Sequence, residues 1–146
     1  MPLSVAHSSP DTCVFCRLVR GELPAAKVHE DDLTIAFMDI GQLNPGHTLV
    51  AVKRHAATLL DLTPEEAAAS MQTARRIAIA IEKTFDPPGI TVLQANGKEG
   101  EQTVFHFHLH VVPRHANDGV GLIWPRKNPS AEMLEQYAAR LKSALA

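Results

Sequence analysis

The sequence predicts an α+β domain with a mostly antiparallel sheet, one long central helix and a C-terminal helix. Three observations lead there. Four strand-like stretches alternate with helix-like ones, one long segment carries apolar residues at helical spacing, and no repeat or low-complexity segment interrupts the pattern. The 146 residues match one ordinary domain, and 45% hydrophobic with 21% charged residues is the balance of a soluble globular chain. A net charge of -2, with lysine and arginine spread along the chain, excludes the electrostatic footprint of a long-nucleic-acid or anionic-membrane binder. The longest apolar runs fall far short of the roughly 20 residues a bilayer needs. Residues 1–12 are polar and contain Pro2 and Pro10, so a flexible arm without export signal is expected ahead of a single domain over residues 13–146. That implies a cytoplasmic protein, where Cys13 and Cys16 stay reduced.

In chain order, residues 13–20 suggest a short helix ended by Gly21 and Pro24. Residues 33–38 and 47–53 suggest strands joined by a turn containing Asn44, Pro45 and Gly46. The long helix begins near Thr63. Thr63 supplies an N-cap, Pro64 a first helical position and Glu66 the return bond of a capping box. Ala67, Met71, Ala74, Ala78, Ile81 and Phe85 then form the expected buried stripe, and Pro87–Pro88 ends it. Residues 90–95 suggest a strand, 96–102 a glycine-containing loop, and 103–112 a long strand ended by Pro113. Trp124 falls in an irregular stretch. A final amphipathic helix from Ser130 sets Leu134, Tyr137, Leu141 and Leu145 on one face.

The segment Phe105-His106-Phe107-His108-Leu109-His110-Val111 is the most informative. Strand alternation sets His106, His108 and His110 on one face and Phe105, Phe107, Leu109 and Val111 on the core side. A half-buried strand whose wet face happens to be histidine explains one such residue, not three in strict alternation. At about 3.3 Å per residue, His106 and His110 stand roughly 13 Å apart, too far for one zinc ion to gather all three. The three therefore divide between tasks. A neutral imidazole is a nucleophile at pH 7, and a second one beside it can move a proton, so His108 and His110 together suit attack on a phosphorus that both can reach. Asn96, Gln102 and Thr103, with backbone amides near Gly97 and Gly100, offer donors to phosphate oxygens.

Cys13-Val14-Phe15-Cys16 has the spacing of half a zinc site. Two buried structural cysteines are the alternative. If zinc binds, His55 and the spare His106 are the best partners, and four protein ligands leave no open position, so the ion's role is structural. His7 and His29 suggest solvated side chains, and His115 a residue near the pocket. His47, after Pro45–Gly46, suits a structural or a functional role equally.

On these residues the sequence resembles the histidine triad (HIT) superfamily of nucleotide hydrolases and transferases, in its small nucleoside phosphoramidase-like branch. The pattern is His-apolar-His-apolar-His-apolar-apolar over residues 106–112, and the likeness extends over residues 13–24, 30–55 and 96–114. The resemblance implies His108 as nucleophile of a covalent nucleotidyl-histidine, with His110 beside the phosphate and His47 in support. It implies Asp39 as ribose acceptor, Phe15, Leu18, Leu23, Phe37 and Ile40 as walls of the base pocket, and Asn96, Gln102 and Thr103 as phosphate contacts. It further implies one structural Zn2+ per chain on Cys13, Cys16, His55 and His106, no catalytic metal, and a homodimer. The implied substrate is a purine nucleoside monophosphate conjugate, such as a 5′-phosphoramidate. Hydrolysis of dinucleoside polyphosphates is the rival activity. A nucleotide- or zinc-responsive binding protein is the rival of another kind, and the intact histidine row argues against it. Relatives commonly carry glycine where this chain has Glu101, which bears on the phosphate loop.

Overall fold

A computed structural model describes residue 3 and residues 9–145. Its strands β1 (Lys27–Glu30), β2 (Thr34–Met38), β3 (Thr48–Val52), β4 (Gly89–Leu93) and β5 (His108–Arg114) form one sheet in the order β1-β2-β3-β5-β4, antiparallel throughout. Three helices accompany it: α1 (Val14–Val19), α2 (Pro64–Phe85) and α3 (Ala131–Leu145).

The centre of the sheet is buried on both faces, and strand alternation divides it into two cores. Ala36, Val50, Val52, Phe107, Leu109 and Val111 pack on one side against Ala74, Ile77 and Ile81 of α2. On the other, Ile35, Phe37, Leu49 and Ala51 meet Cys13, Phe15 and Cys16 of the α1 segment. Helix α2 starts as the sequence predicts, with Thr63 Oγ1 accepting from Glu66 N, the Glu66 carboxylate accepting from Thr63 N, and Pro64 in the first turn. Asp86 closes it in the left-handed region.

Four expectations need correction. Strand β1 is absent from the sequence reading: Lys27-Val28-His29-Glu30 is an exposed, charged edge with no apolar alternation to mark it. The buried stripe of α2 is Glu66, Ser70, Thr73, Ala74, Ile77 and Ile81, while Met71 and Phe85 are exposed. Its first half packs through polar pairs, Thr73 Oγ1 with Thr34 Oγ1 at 2.8 Å and Glu66 with Arg54 at 2.8 Å, which hydrophobic spacing cannot reveal. Residues 103–107 are not strand: a bend holds His106, and Phe107 N donates instead to Ala56 O at 2.7 Å. Strand β5 also runs through Pro113 to Arg114. The Pro113 carbonyl accepts from Asn44 Nδ2 at 2.8 Å, so the missing N–H lies on the flank where β3 has already ended, and no ladder bond is lost.

Of the expected N-terminal arm, residues 9–12 form a turn bonded to Cys13 N through Ser9 O, while residues 1–2 and 4–8, His7 among them, lie outside the described residues. Helix α3 begins after Ser130, whose Oγ accepts from Met133 N, and none of its residues is buried.

Candidate active site and metal centre

Alternation along β5 turns His108 and His110 toward α1, away from the α2 core that receives Leu109 and Val111. The cavity there measures about 540 Å3, a size suited to a nucleotide-scale ligand. Its lining includes all five predicted apolar residues, Phe15, Leu18, Leu23, Phe37 and Ile40, together with Asp39, Thr103, His108 and His110. Ile40 is fully exposed and forms rim rather than wall. Val14, Pro24, Ala25, Ala26, Met38, Leu49 and Val104 complete the lining and escaped the sequence reading. Pro24 to Ala26 lead into the unpredicted β1, and small residues in a loop carry no signal.

Hydrogen-bond partners assign the histidine tautomers. His108 Nδ1 lies 2.6 Å from the carbonyl of His106, which can only accept, so the proton sits on Nδ1 and Nε2 keeps its lone pair. Burial pushes the His108 pKa below its ordinary value, opposed by the His106 carbonyl and Asp39, so the lone pair is available at neutral pH. His47 differs. Leu43 N–H donates to its Nδ1 at 3.2 Å, leaving the proton on Nε2, which faces His110 Nδ1 at 2.9 Å and Asp39 Oδ2 at 3.5 Å. His110 therefore accepts on Nδ1 and carries its own proton on Nε2. Burial, with His108 and His47 beside it, pushes the His110 pKa down to about 4.

The loop carrying Asp39 and His47 is tightly braced. Gln42 Nε2 donates to the carbonyls of Asp39 and His47, and Gln42 Oε1 accepts from Gly46 N at 2.9 Å. Gly46 has φ +104, and a Cβ there would meet the Phe85 ring at 2.8 Å, so only glycine suits the turn.

Of the three predicted phosphate contacts, only Thr103 lines the cavity. Asn96 Oδ1 accepts from Leu59 N at 2.7 Å and Asn96 Nδ2 donates to Gln94. Buried Gln102 accepts from Gly97 N and donates to the carbonyls of Ala57 and Val104. These two side chains brace the loop. Glu101 is exposed and left-handed, at φ 67.

Cys13, Cys16, His55 and His106 converge, with ligand atoms all within 4.8 Å of one another. His106 Nε2 donates to Val52 O at 2.6 Å, so Nδ1 presents a lone pair to Cys13 Sγ at 3.3 Å and Cys16 Sγ at 3.5 Å. His55 Nδ1 stands 3.2 Å from Cys16 Sγ. Tetrahedral zinc separates its sulfur and nitrogen ligands by about 3.6 Å, so spacing and tautomer both fit. Burial and the Cys13 side chain push the Cys16 thiol up to about 12, so without a cation beside it the thiol stays protonated at neutral pH. Asp39, His47 and His110 meet the same distance criterion. There the Leu43 N–H blocks the tautomer that would free His47 Nε2 for a metal, and the set suits proton transfer instead.

Fold and site together define a class: an α+β protein whose antiparallel sheet presents His108 and His110 to an apolar cavity. The model of the HIT domain matches residues 20–117, and the chain belongs to the HIT family. It is 41% identical over 115 residues to protein hit of Bacillus subtilis, covering 78% of this chain and 79% of that one. It is 33% identical over 135 residues to adenosine 5′-monophosphoramidase hnt1 of Schizosaccharomyces pombe, covering 92% and 98%. Among solved structures, a HIT family protein from Bacillus anthracis superposes with TM-score 0.88 at 39% identity, covering 92% and 97%. A Zn-bound histidine triad family protein from Mycobacterium smegmatis gives TM-score 0.73 at 37% identity, covering 93% and 99%.

Proposed function

We propose that this chain is a nucleotide hydrolase that cleaves nucleoside 5′-phosphoramidates or related conjugates at the α-phosphorus. The observation that carries the reading is the His108 Nδ1–H bond to the His106 carbonyl, which leaves Nε2 as a lone pair at a nucleotide-sized cavity. The apolar end of that cavity suits a base, and Asp39 suits the ribose hydroxyls. Nε2 attacks phosphorus while the bond to the leaving amine breaks, and His110 Nε2–H gives the amine its proton. His47 Nε2–H, bonded to His110 Nδ1, restores that proton. The imidazolium formed at His108 is stabilised by the His106 carbonyl and by the charge of Asp39. Water then attacks the nucleotidyl-histidine and gives its proton to His110 Nε2, the Nδ1 proton of His110 returns to His47 Nε2, and His108 leaves neutral. Thr103 and His110 supply the side-chain contacts to phosphate, with Asn96 and Gln102 holding the loop that carries Thr103.

Cys13, Cys16, His55 and His106 would hold one zinc ion, whose part is to fix α1 and the residue 106 bend to the sheet. The yeast relative named as a phosphoramidase supports the reaction class, and the Zn-bound mycobacterial structure supports the metal. We also infer a homodimer, because Leu122, Trp124, Leu134 and Leu141 are exposed and α3 buries none of its apolar face. Light scattering on the purified protein tests this. No described helix is long and apolar enough to cross a membrane, and two buried free cysteines suit a reducing cytoplasm.

The decisive experiment is rapid quenching during turnover of adenosine 5′-phosphoramidate, followed by peptide mass spectrometry. A nucleotidyl adduct on His108 is expected. Its absence at every quench time, or full turnover by His108→Ala, would overturn the mechanism.

A further inference from the structure

Helix α1 serves two sites at once. Its N-cap is Cys13, its third residue is Cys16, and Val14, Phe15 and Leu18 line the nucleotide cavity. Six residues are too few for a helix to hold itself in water. Among the described residues, the side-chain polar contacts that tie it to the sheet side of the fold run through sulfur, from Cys13 to His106 and from Cys16 to His55 and His106. Arg17 and Arg20 reach only the adjoining Glu22 and Pro10. Apolar packing against Ile35, Phe37 and Leu49 supplies the rest.

Phe15 joins the two sites. It sits between the cysteines, buried, with its ring edge-on to His106 at 5.8 Å, to His108 at 5.1 Å and to Phe37 at 5.2 Å. One ring thus touches a metal-ligand candidate, the nucleophile and a wall of the base pocket.

We propose that metal binding at Cys13, Cys16, His55 and His106 and nucleotide binding in the cavity are thermodynamically coupled through α1, with Phe15 as the coupling residue. This rests on the zinc reading above. The clamped helix holds Val14, Phe15 and Leu18 against the base; the released helix does not, and the nucleotide loses a wall. Linkage makes the effect reciprocal, so bound nucleotide tightens the metal site by the same factor. A factor of about 10 lies within the usual range for such coupling.

The test begins with metal analysis of the protein purified under reducing conditions. Finding no zinc removes the zinc reading, and the coupling falls with it. With zinc present, equilibrium competition against a chromogenic chelator is run with and without saturating adenosine 5′-monophosphate. The chelator concentration that removes half the zinc should rise about 10-fold with the nucleotide. An unchanged midpoint, with calorimetry showing the nucleotide bound, overturns the coupling and leaves the zinc reading intact. In Phe15→Ala the nucleotide should no longer shift the midpoint. Leu18→Ala, which trims the same wall away from the metal, should weaken the nucleotide yet keep the shift at saturation. Loss of the shift in both variants would remove Phe15 from its assigned place.

Discussion

Two clusters of histidine and acid or thiol groups lie on one side of this sheet, and by distance alone they are equivalent. Cys13, Cys16, His55 and His106 form one; Asp39, His47 and His110 form the other, and each brings its ligand atoms within 4.8 Å. What separates them is a single backbone partner in each. The Val52 carbonyl takes the His106 Nε2 proton and frees a nitrogen toward two sulfurs, whereas the Leu43 amide claims the lone pair of His47 Nδ1 and forces a proton into the other cluster. Proximity of ligand types is therefore a weak criterion for a metal site. The tautomer that the main chain permits is a stronger one.

The largest effects should come from exchanging damage between the clusters. His110→Ala removes the proton donor, and kcat should fall about 10^2- to 10^4-fold with metal content unchanged. His106→Ala should do the reverse. It leaves the buried Val52 carbonyl without its partner and a ring-sized void, together about 3 kcal/mol. Zinc should be lost and Tm should drop by roughly 10 °C. Yet kcat should fall less than in His110→Ala, because the carbonyl that orients His108 belongs to the main chain. Metal analysis, calorimetric melting and steady-state kinetics on both variants check this. Equal loss of zinc in both would break the distinction.

Acid should also act on the cluster that holds His110. His110 falls from an ordinary 6.5 to about 4 in the folded protein, so between those values the unfolded chain binds the extra proton. Stability therefore declines as pH falls through that window, by about 3 kcal/mol from this residue. Urea midpoints at pH 7 and near pH 4.5 should converge in His110→Asn relative to the parent. The acid limb of kcat/KM should lie below 6.5, because burial lowers the pKa of the proposed nucleophile His108.

A smaller effect is expected at Gln42, whose amide bonds Asp39 O, His47 O and Gly46 N. Gln42→Leu should cost about 1–2 kcal/mol and lower kcat more than it raises KM, since the loop holds His47 against His110. An unchanged kcat would show that the relay does not need the brace.

How much of this was legible in the sequence follows from the kind of signal each part carries. The capped start of α2, the turn at Gly46 and the spatial separation of His106 from His108 and His110 are local patterns, and the structure keeps them. His106 leaves the row because the chain bends before β5, not only because a straight strand would carry it too far. The polar half of the α2 stripe, the edge strand β1 and the bracing of Asn96 and Gln102 depend on partners distant in sequence. Periodicity does not encode such partners. Neither does it encode Leu43 N–H, the group that decides the chemistry of the second cluster: a backbone amide has no letter.

The smallest expected effect concerns Glu101, where the family resemblance leads to an expectation of glycine. The structure supplies the reason for glycine: residue 101 has φ 67 and ψ 24, and its N–H returns to Lys98 O at 3.0 Å to close the turn before Gln102. A side chain in that conformation costs about 1–2 kcal/mol. Glycine would relieve the strain but also loosen the unfolded chain, at a cost of about 0.4–1 kcal/mol. Glu101→Gly should therefore stabilise the protein by about 0.5 kcal/mol, a Tm rise of roughly 2 °C. Because Glu101 is exposed and does not line the cavity, kcat/KM should stay near that of the parent. A Glu101→Gln control keeps the strain while removing the charge, so it should leave Tm unmoved. If glutamine instead raised kcat/KM as much as glycine did, the carboxylate would be repelling the substrate phosphate, and the departure at this position would belong to the catalytic histidine cluster rather than to the fold of the loop.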